Sequence, residues 1–142
     1  MGRVSRLFMT GVVLAVAMLI AAFTANAQTR GAAAPAAKTM KNPVASTPAS
    51  ITAGAGVYKK YCAFCHGLTG KGDGPLAPKD SHPADLTDAK WDRGSSDGDI
   101  FTVIRDGAGP KFDMKGFRSR LTTDEMWSLV HYLRSIGPQG AR

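Results

Sequence analysis

The residues best suited to chemistry are Cys62, Cys65 and His66, which form the segment Cys-Ala-Phe-Cys-His. The 142-residue sequence contains no other cysteine. Two thiols at this spacing can each add to a vinyl group of haem, and the adjacent imidazole can reach the iron from the same edge. The pattern therefore predicts covalent haem attachment, with His66 as an iron ligand.

Three other kinds of site use similar residues: a structural disulfide, a redox dithiol and a zinc site. A disulfide between cysteines this close would close a small loop and add little stability. A dithiol oxidoreductase needs alternating strands and helices, which this chain does not suggest. Zinc takes four ligands, and His82 and His131 are not spaced as a second ligand pair. We therefore favour haem attachment.

The second axial ligand of the iron must come from another segment, and Met114 is the best candidate. It lies in the irregular stretch 109–117, where a loop can bring a thioether over the open face of the haem. A methionine can also simply fill a gap in the core. His131 is an alternative ligand, although we expect it at the surface of the last helix, and His82 in a loop. The other methionines fall in the N-terminal segments or on a predicted buried helix face: Met1, Met9, Met18, Met40 and Met126.

Helices must position these residues. The first is predicted over 52–61, where Gly54 and Gly56 lower helix propensity by about 1 kcal/mol each and suggest the close approach of another backbone. The second has Ser96 as its N-cap and ends at Gly107. It has an apolar face formed by Ile100, Val103 and Ile104.

The third helix has the clearest signals, because Thr122 and Glu125 fit a capping box and Gly137 and Pro138 end the run. Strand signals are nearly absent, so we expect an all-α fold of three to four helices. Residues 67–94 are predicted to form a long loop, and a loop of this length is unusual in a compact domain unless it wraps around something. We expect it to wrap around one covalently bound haem. The apolar positions of the third helix share one side: Met126, Leu129, Val130 and Leu133.

Both termini differ in composition from this domain. Residues 1–27 combine Arg3 and Arg6 with a short apolar run and Ala-Asn-Ala, as in a secretory signal peptide cleaved after Ala27. An uncleaved N-terminal anchor is the alternative. Residues 28–50 are rich in Ala and Pro and predict a disordered linker, the domain spans 51–138, and 139–142 form a tail.

The chain has a formal net charge of +7. Cleavage after Ala27 leaves 16 basic and 11 acidic residues, a net charge of +5. This charge can steer acidic partners, but no basic run is interleaved with aromatic residues, so we expect no nucleic-acid binding. We expect a monomer, with membrane association only through an uncleaved N-terminus or a membrane complex.

Residues 54–134 resemble the class I c-type cytochromes, in particular their bacterial periplasmic branch. Gly54 and Tyr58 match the glycine and aromatic residue of that family's first helix, and Leu129 and Tyr132 match the residues of its last helix that pack against this glycine. Four further stretches are similar in sequence and order: Gly72-Asp73-Gly74-Pro75, 83–88, Ile104-Arg105-Asp106-Gly107 and 127–134.

The resemblance implies a periplasmic one-electron carrier with His66 and Met114 as ligands of a haem c. Its partners would be redox proteins: a dehydrogenase, an oxidase or a reductase. It also implies that a proline carbonyl accepts a hydrogen bond from the ligand imidazole, with Pro83 as first choice and Pro75 as second. Lys115 stands where the family usually has a proline. The alternative is a haem enzyme or sensor whose sixth iron position is open or labile and which reacts with peroxide or small gases. We expect a haem environment formed by Tyr58, Phe64, Leu86, Trp91, Ile104 and Phe117.

Overall fold

The computed structural model describes residues 35–78, 82–109 and 114–138. The predicted signal peptide at 1–27 and the tail at 139–142 lie outside these residues. The described part is mostly helical, which confirms the all-α prediction. Its elements, in chain order, are α1 (Pro35–Lys38), α2 (Pro48–Tyr61), α3 (Ala63–His66), α4 (Asp97–Asp106), β1 (Gly107–Ala108), β2 (Met114–Lys115) and α5 (Thr123–Ile136).

Local capping explains where α4 and α5 begin. The hydroxyl of Ser96 accepts the backbone N–H of Asp99 at 3.1 Å. The hydroxyl of Thr122 accepts the backbone N–H of Glu125 at 3.2 Å, and the Glu125 carboxylate accepts the Thr122 N–H at 2.8 Å. Both starts are confirmed, because a capping box depends only on residues within one turn of each other.

Helix α2 begins one turn before the predicted start at 52. Thr47 and Ser50 form a capping box, with the Ser50 N–H donating to the Thr47 hydroxyl at 3.2 Å. Pro48 occupies the first turn, where its missing N–H costs nothing. The domain boundary expected at 51 therefore falls inside a helix.

Helices α2 and α5 pack against each other through Gly54. A β-carbon at Gly54 would overlap the carbonyl oxygen of Ser128 and lie 2.9 Å from Cβ of Tyr132. The close approach predicted for Gly54 is thus confirmed. It is not found at Gly56, where a β-carbon would meet no described atom within 4 Å. Beside this contact, the rings of Tyr58 and Tyr132 lie 5.1 Å apart.

The linker prediction is wrong for the described residues before α2. Ala37 is buried, and a β-carbon at Gly98 would overlap its carbonyl oxygen. The Asn42 side-chain amide donates to the carbonyl of Trp127 at 3.1 Å. His131, expected at the surface, is instead buried and lies with Nε2 2.8 Å from the carbonyl of Val44. Residues 36–47 therefore form a strap across α4 and α5.

The core lies between α2, α4 and α5. The predicted stripe on α5 is buried as expected, and the rings of Phe101 and Trp127 stack 4.0 Å apart. Strands β1 and β2 form a two-residue antiparallel ladder that pairs Gly107 with Lys115. Among the described residues, no helix is long and apolar enough to cross a membrane.

Candidate functional site

A cavity of about 390 Å³ lies beside α2 and contains the predicted site residues in its walls. Cys62, Cys65 and His66 line it from the α2–α3 junction, and Met114 lines it from β2. Its volume falls in the range of small-molecule and cofactor sites. The fold therefore brings together four side chains that come from two distant segments of the sequence.

The α2–α3 junction fixes the two cysteines. The Cys62 N–H donates to the carbonyl of Tyr58 at 2.8 Å, and the Cys62 carbonyl accepts the N–H groups of Cys65 and His66 at 3.1 and 2.9 Å. The two sulfurs are not joined in a disulfide. Burial, together with the neighbouring Cys65 thiol, raises the pKa of Cys62 to about 12.

The His66 ring is held by a backbone carbonyl. Its Nδ1 lies 3.0 Å from the carbonyl oxygen of Ala84. A carbonyl can only accept, so Nδ1 carries the hydrogen and Nε2 keeps a lone pair for a metal. Burial lowers the pKa of His66, and the bond to Ala84 opposes this effect. The ring is thus neutral and oriented, as ligation requires.

The acceptor of this bond corrects the proline prediction. Pro83 lines the cavity, and Pro75 is exposed. The carbonyl that receives the His66 Nδ1–H belongs instead to Ala84, one residue beyond Pro83. A shift of one residue reverses the direction of the carbonyl in extended chain, and sequence similarity does not resolve that direction.

The Met114 segment is attached to α4. Met114 pairs with Ala108 in the β1–β2 ladder. After Lys115 the chain returns to α4, where the Phe117 N–H donates to the carbonyl of Ile104 at 2.9 Å. Gly107, with φ of +90°, makes the turn from α4 into β1 that this arrangement requires. Met114 itself is half-buried.

A charged cluster lies at the same end of α4. The Asp106 carboxylate accepts two hydrogen bonds from the Arg105 guanidinium, both at 2.9 Å, and a further one from Arg118. Arg105, and to a lesser extent Arg118, hold the pKa of Asp106 below its usual range. Sequence reasoning missed this cluster, although Arg105-Asp106 lies in one of the stretches that carry the family resemblance.

The cavity walls are mainly apolar. Of the residues expected around the haem, five line the cavity: Tyr58, Leu86, Trp91, Ile104 and Phe117. The prediction is wrong for Phe64, which is 53% exposed. The Tyr58 hydroxyl donates to the Gly67 carbonyl at 2.7 Å. This hydrogen bond was not predicted from the sequence. Burial raises the pKa of Tyr58 well above its usual range, so this hydroxyl stays neutral.

Trp91, one of the residues that line the cavity, carries a buried indole N–H. Trp91 Nε1 is buried and has no hydrogen-bond partner among the described residues. Buried N–H groups are rarely left unpaired, so a ligand in this cavity should offer an acceptor here. Arg93 also lines this side. Two thiols, an imidazole, a thioether, apolar walls and an unpaired N–H together fit a haem, whose edge carries carboxylates.

The zinc alternative gains no support from the geometry. Across the described ranges, no three His, Cys, Asp or Glu side chains gather closely enough to form a metal centre. His82 is exposed at the cavity rim. His131 does not line the cavity and bonds to the strap instead.

Comparison with known proteins gives three findings. The family model described as "cytochrome C oxidase, cbb3-type, subunit III" matches residues 49–133, more than half of the chain. A chain of the reducing HAO-like protein complex of Kuenenia stuttgartiensis is similar in structure, with a TM-score of 0.60 and 33% identity. The similarity covers 70% of this protein and 50% of that chain, so this protein spans about half of its length. No curated protein sequence matches.

Proposed function

Because the chain belongs to the cbb3-type cytochrome c oxidase subunit III family of c-type cytochromes, we propose that it is a one-electron carrier. We propose that it holds a single, covalently bound haem c. One observation carries this proposal: His66 and Met114 line the same cavity as Cys62 and Cys65. When bound, the haem supplies the ferric–ferrous couple. The chain's own residues hold it, tune it and exclude water.

The two thiols provide the covalent attachment. Cys62 and Cys65 would each hold one vinyl group of the haem through a carbon–sulfur bond, with the thiol hydrogen going to the neighbouring vinyl carbon. The addition consumes no oxidant or reductant. The hydrogen bonds of Cys62 to Tyr58, Cys65 and His66 fix the spacing of the sulfurs and the imidazole before attachment. This prior ordering limits the entropy lost on binding.

His66 is the proposed first iron ligand, through Nε2. The Ala84 carbonyl fixes the tautomer and the ring orientation. Such a contact also raises the basicity of the ligand nitrogen. The lowered pKa of the half-buried His66 ring reduces the competition of protons with iron at neutral pH.

Met114 is the proposed second ligand. Its soft thioether favours ferrous iron, and the apolar walls favour the less charged state, so we expect a mid-to-high potential. The β1–β2 ladder holds the Met114 segment. This contact supports ligation by Met114, although Lys115 stands where the family usually has a proline. If His66 and Met114 both hold the iron, it would cycle between its ferric and ferrous states without binding a substrate.

Location and partners extend this proposal. The secretory pattern at 1–27 supports a periplasmic protein. The similar Kuenenia chain belongs to a reducing HAO-like protein complex, which supports a redox protein as the partner. We propose that this carrier exchanges electrons with a dehydrogenase, oxidase or reductase, either free or as a subunit beside it.

A visible spectrum of the haem-loaded protein tests the ligand set. The ferric wild type should show a sulfur-to-iron charge-transfer band that Met114→Ala abolishes. Met40→Leu is the matched control, because Met40 packs on the core but does not line the cavity. The band should persist in this variant. Ready binding of carbon monoxide by the ferrous wild type would contradict the proposal and favour a haem enzyme or sensor with an open position.

A further inference from the structure

The Met114 segment, residues 114–118, begins in a very short strand pair. Strand β2 contributes two residues, and the ladder joins them to Gly107 and Ala108. A two-stranded pair is at best marginally stable by itself. Met114 is half-buried, so packing against the core holds it in part. The position of its thioether therefore depends on how the chain is fixed after β2.

After β2 the backbone lies directly on the last turn of α4. The Phe117 N–H donates to the carbonyl of Ile104 at 2.9 Å, and the Arg118 N–H donates to the carbonyl of Arg105 at 3.3 Å. A β-carbon at Gly116 would overlap the Arg105 carbonyl oxygen. The end of α4 is thus the surface on which the Met114 segment rests.

An ion pair joins the same two parts of the chain through side chains. Asp106 is the last residue of α4, and its carboxylate accepts a hydrogen bond from the guanidinium of Arg118. The two residues are 12 positions apart, and Met114 lies between them in the sequence. Loss of this pair would weaken the attachment of the segment that carries the proposed ligand.

The Asp106 carboxylate is held in place by the core. Arg105 donates to both of its oxygens at 2.9 Å. The Arg105 guanidinium also lies 5.5 Å from the centre of the Phe101 ring, which stacks on Trp127. The side chains of Arg105 and Asp106 are 36% and 32% exposed, whereas that of Arg118 is 67% exposed. Asp106 is therefore a fixed acceptor, and Arg118 is the partner that can leave it.

We propose that Arg118, through Asp106, is a positioning residue that slows the dissociation of Met114 from the iron. The inference rests on the proposed function, in which His66 and Met114 hold one haem. None of Arg105, Asp106 and Arg118 lines the cavity, so they act on the ligand through the backbone and not by contact with the cofactor. When the ion pair opens, the Met114 segment is less firmly held on α4. The coordinate bond from sulfur to iron then breaks more often, with no change in the oxidation state of the iron.

The test measures the exchange of Met114 for imidazole in the ferric, haem-loaded full chain. At saturating imidazole, the loss of the sulfur-to-iron charge-transfer band in a stopped-flow instrument follows the dissociation of Met114. Arg118→Gln should raise this rate about threefold to fivefold. Asp106→Asn removes the charged acceptor of two guanidinium groups and should raise it about tenfold.

Two further variants of the same segment act as controls. Arg118 reaches Asp106 through one nitrogen, which a lysine amine can replace, so Arg118→Lys should stay within about twofold of the wild-type rate. Arg120 is exposed two residues further on. Arg120→Gln removes the same charge and should leave the rate unchanged.

Three measurements distinguish positioning from general stabilisation. In a chain that already carries Asp106→Asn, Arg118→Gln should add nothing, whereas independent effects would multiply. Raising the ionic strength from about 0.01 M to about 0.5 M should speed exchange in the wild type but not in Asp106→Asn. In the ferrous protein, amide hydrogen exchange at Phe117 should be faster in Arg118→Gln than in the wild type.

The outcomes separate this inference from the proposed function. If the wild type shows the charge-transfer band and Arg118→Gln exchanges at the wild-type rate, the positioning role is refuted while the proposed function stands. Multiplying effects, an equal effect of Arg120→Gln, or rates that rise only in proportion to a loss of the free energy of unfolding would also refute it. A ferric wild type without the band would overturn the ligand set of the proposed function, and this inference with it.

Discussion

Replacement of Gly54 by alanine tests the helix contact on which the site is built. The added methyl would lie 2.6 Å from the carbonyl carbon of Ser128 and 2.9 Å from Cβ of Tyr132. Neither atom can rotate away, so α2 and α5 must move apart. Overpacking of this kind costs about 3 kcal/mol, and the better helix propensity of alanine offsets about 1 kcal/mol. We expect a net loss of about 2 kcal/mol.

Gly56 provides a matched control in the same helix. Among the described residues a β-carbon there meets nothing within 4 Å, so Gly56→Ala should raise the free energy of unfolding by about 0.5 to 1 kcal/mol. For a domain of this size, the loss at Gly54 corresponds to a fall in Tm of about 10 °C. Circular dichroism at 222 nm during urea and thermal unfolding of the haem-loaded protein measures both. Equal effects at the two positions would refute the contact.

Three further predictions concern the strap, the cavity wall and the α4 cluster. His131→Phe leaves the Val44 carbonyl without a donor and should lower the free energy of unfolding in urea by about 1 to 3 kcal/mol. His82→Phe, at the exposed cavity rim, should change this free energy little. Similar losses in the two variants would contradict the strap contact. In the haem-loaded protein, Trp91→Phe removes an N–H that could donate to a haem carboxylate, so the pKa of that carboxylate should rise. The pH dependence of the midpoint potential should then move to higher pH. An unchanged curve would show that the indole N–H has no carboxylate acceptor. The pKa of Asp106 is lowered in the fold, so its stabilisation is complete above about pH 4 and is lost as the pH falls through the lowered value. Urea midpoints of Asp106→Asn should lack this acid-dependent part, and parallel curves for variant and wild type would refute it.

The parts of the fold that the sequence predicts are those fixed by local chemistry. The Ser96 and Thr122 caps satisfy N–H groups within their own first turn, so α4 and α5 could be placed from a few residues. Gly54 was recognisable because a glycine inside a helix needs a reason. Cys62 and its neighbours were recognisable because thioether attachment dictates their spacing.

The strap could not be predicted, because its partners are distant in sequence. Asn42 bonds to a carbonyl 85 residues away, and His131 to one 87 residues away. Composition alone made residues 28–50 look disordered, although residues 36–47 contribute few but well-placed contacts. The capping box at Thr47 escaped notice because serine, rather than glutamate or glutamine, occupies its third helical position.

Details of the site depend on backbone direction, which similarity to a family does not supply. The carbonyl that holds His66 belongs to Ala84 and not to Pro83, a difference of one peptide unit. Phe64 was expected in the haem environment. The turn through α3 directs Cys65 to the cavity and leaves Phe64 exposed.

The most direct test of the central claim is the intact mass of the purified chain after denaturation in acid. We predict a mass increase of one haem that survives denaturation and maps to the peptide containing Cys62 and Cys65. Replacement of both cysteines by serine should abolish it. Haem that is released by acid, a second haem on the same chain, or an adduct on any other peptide would contradict the account.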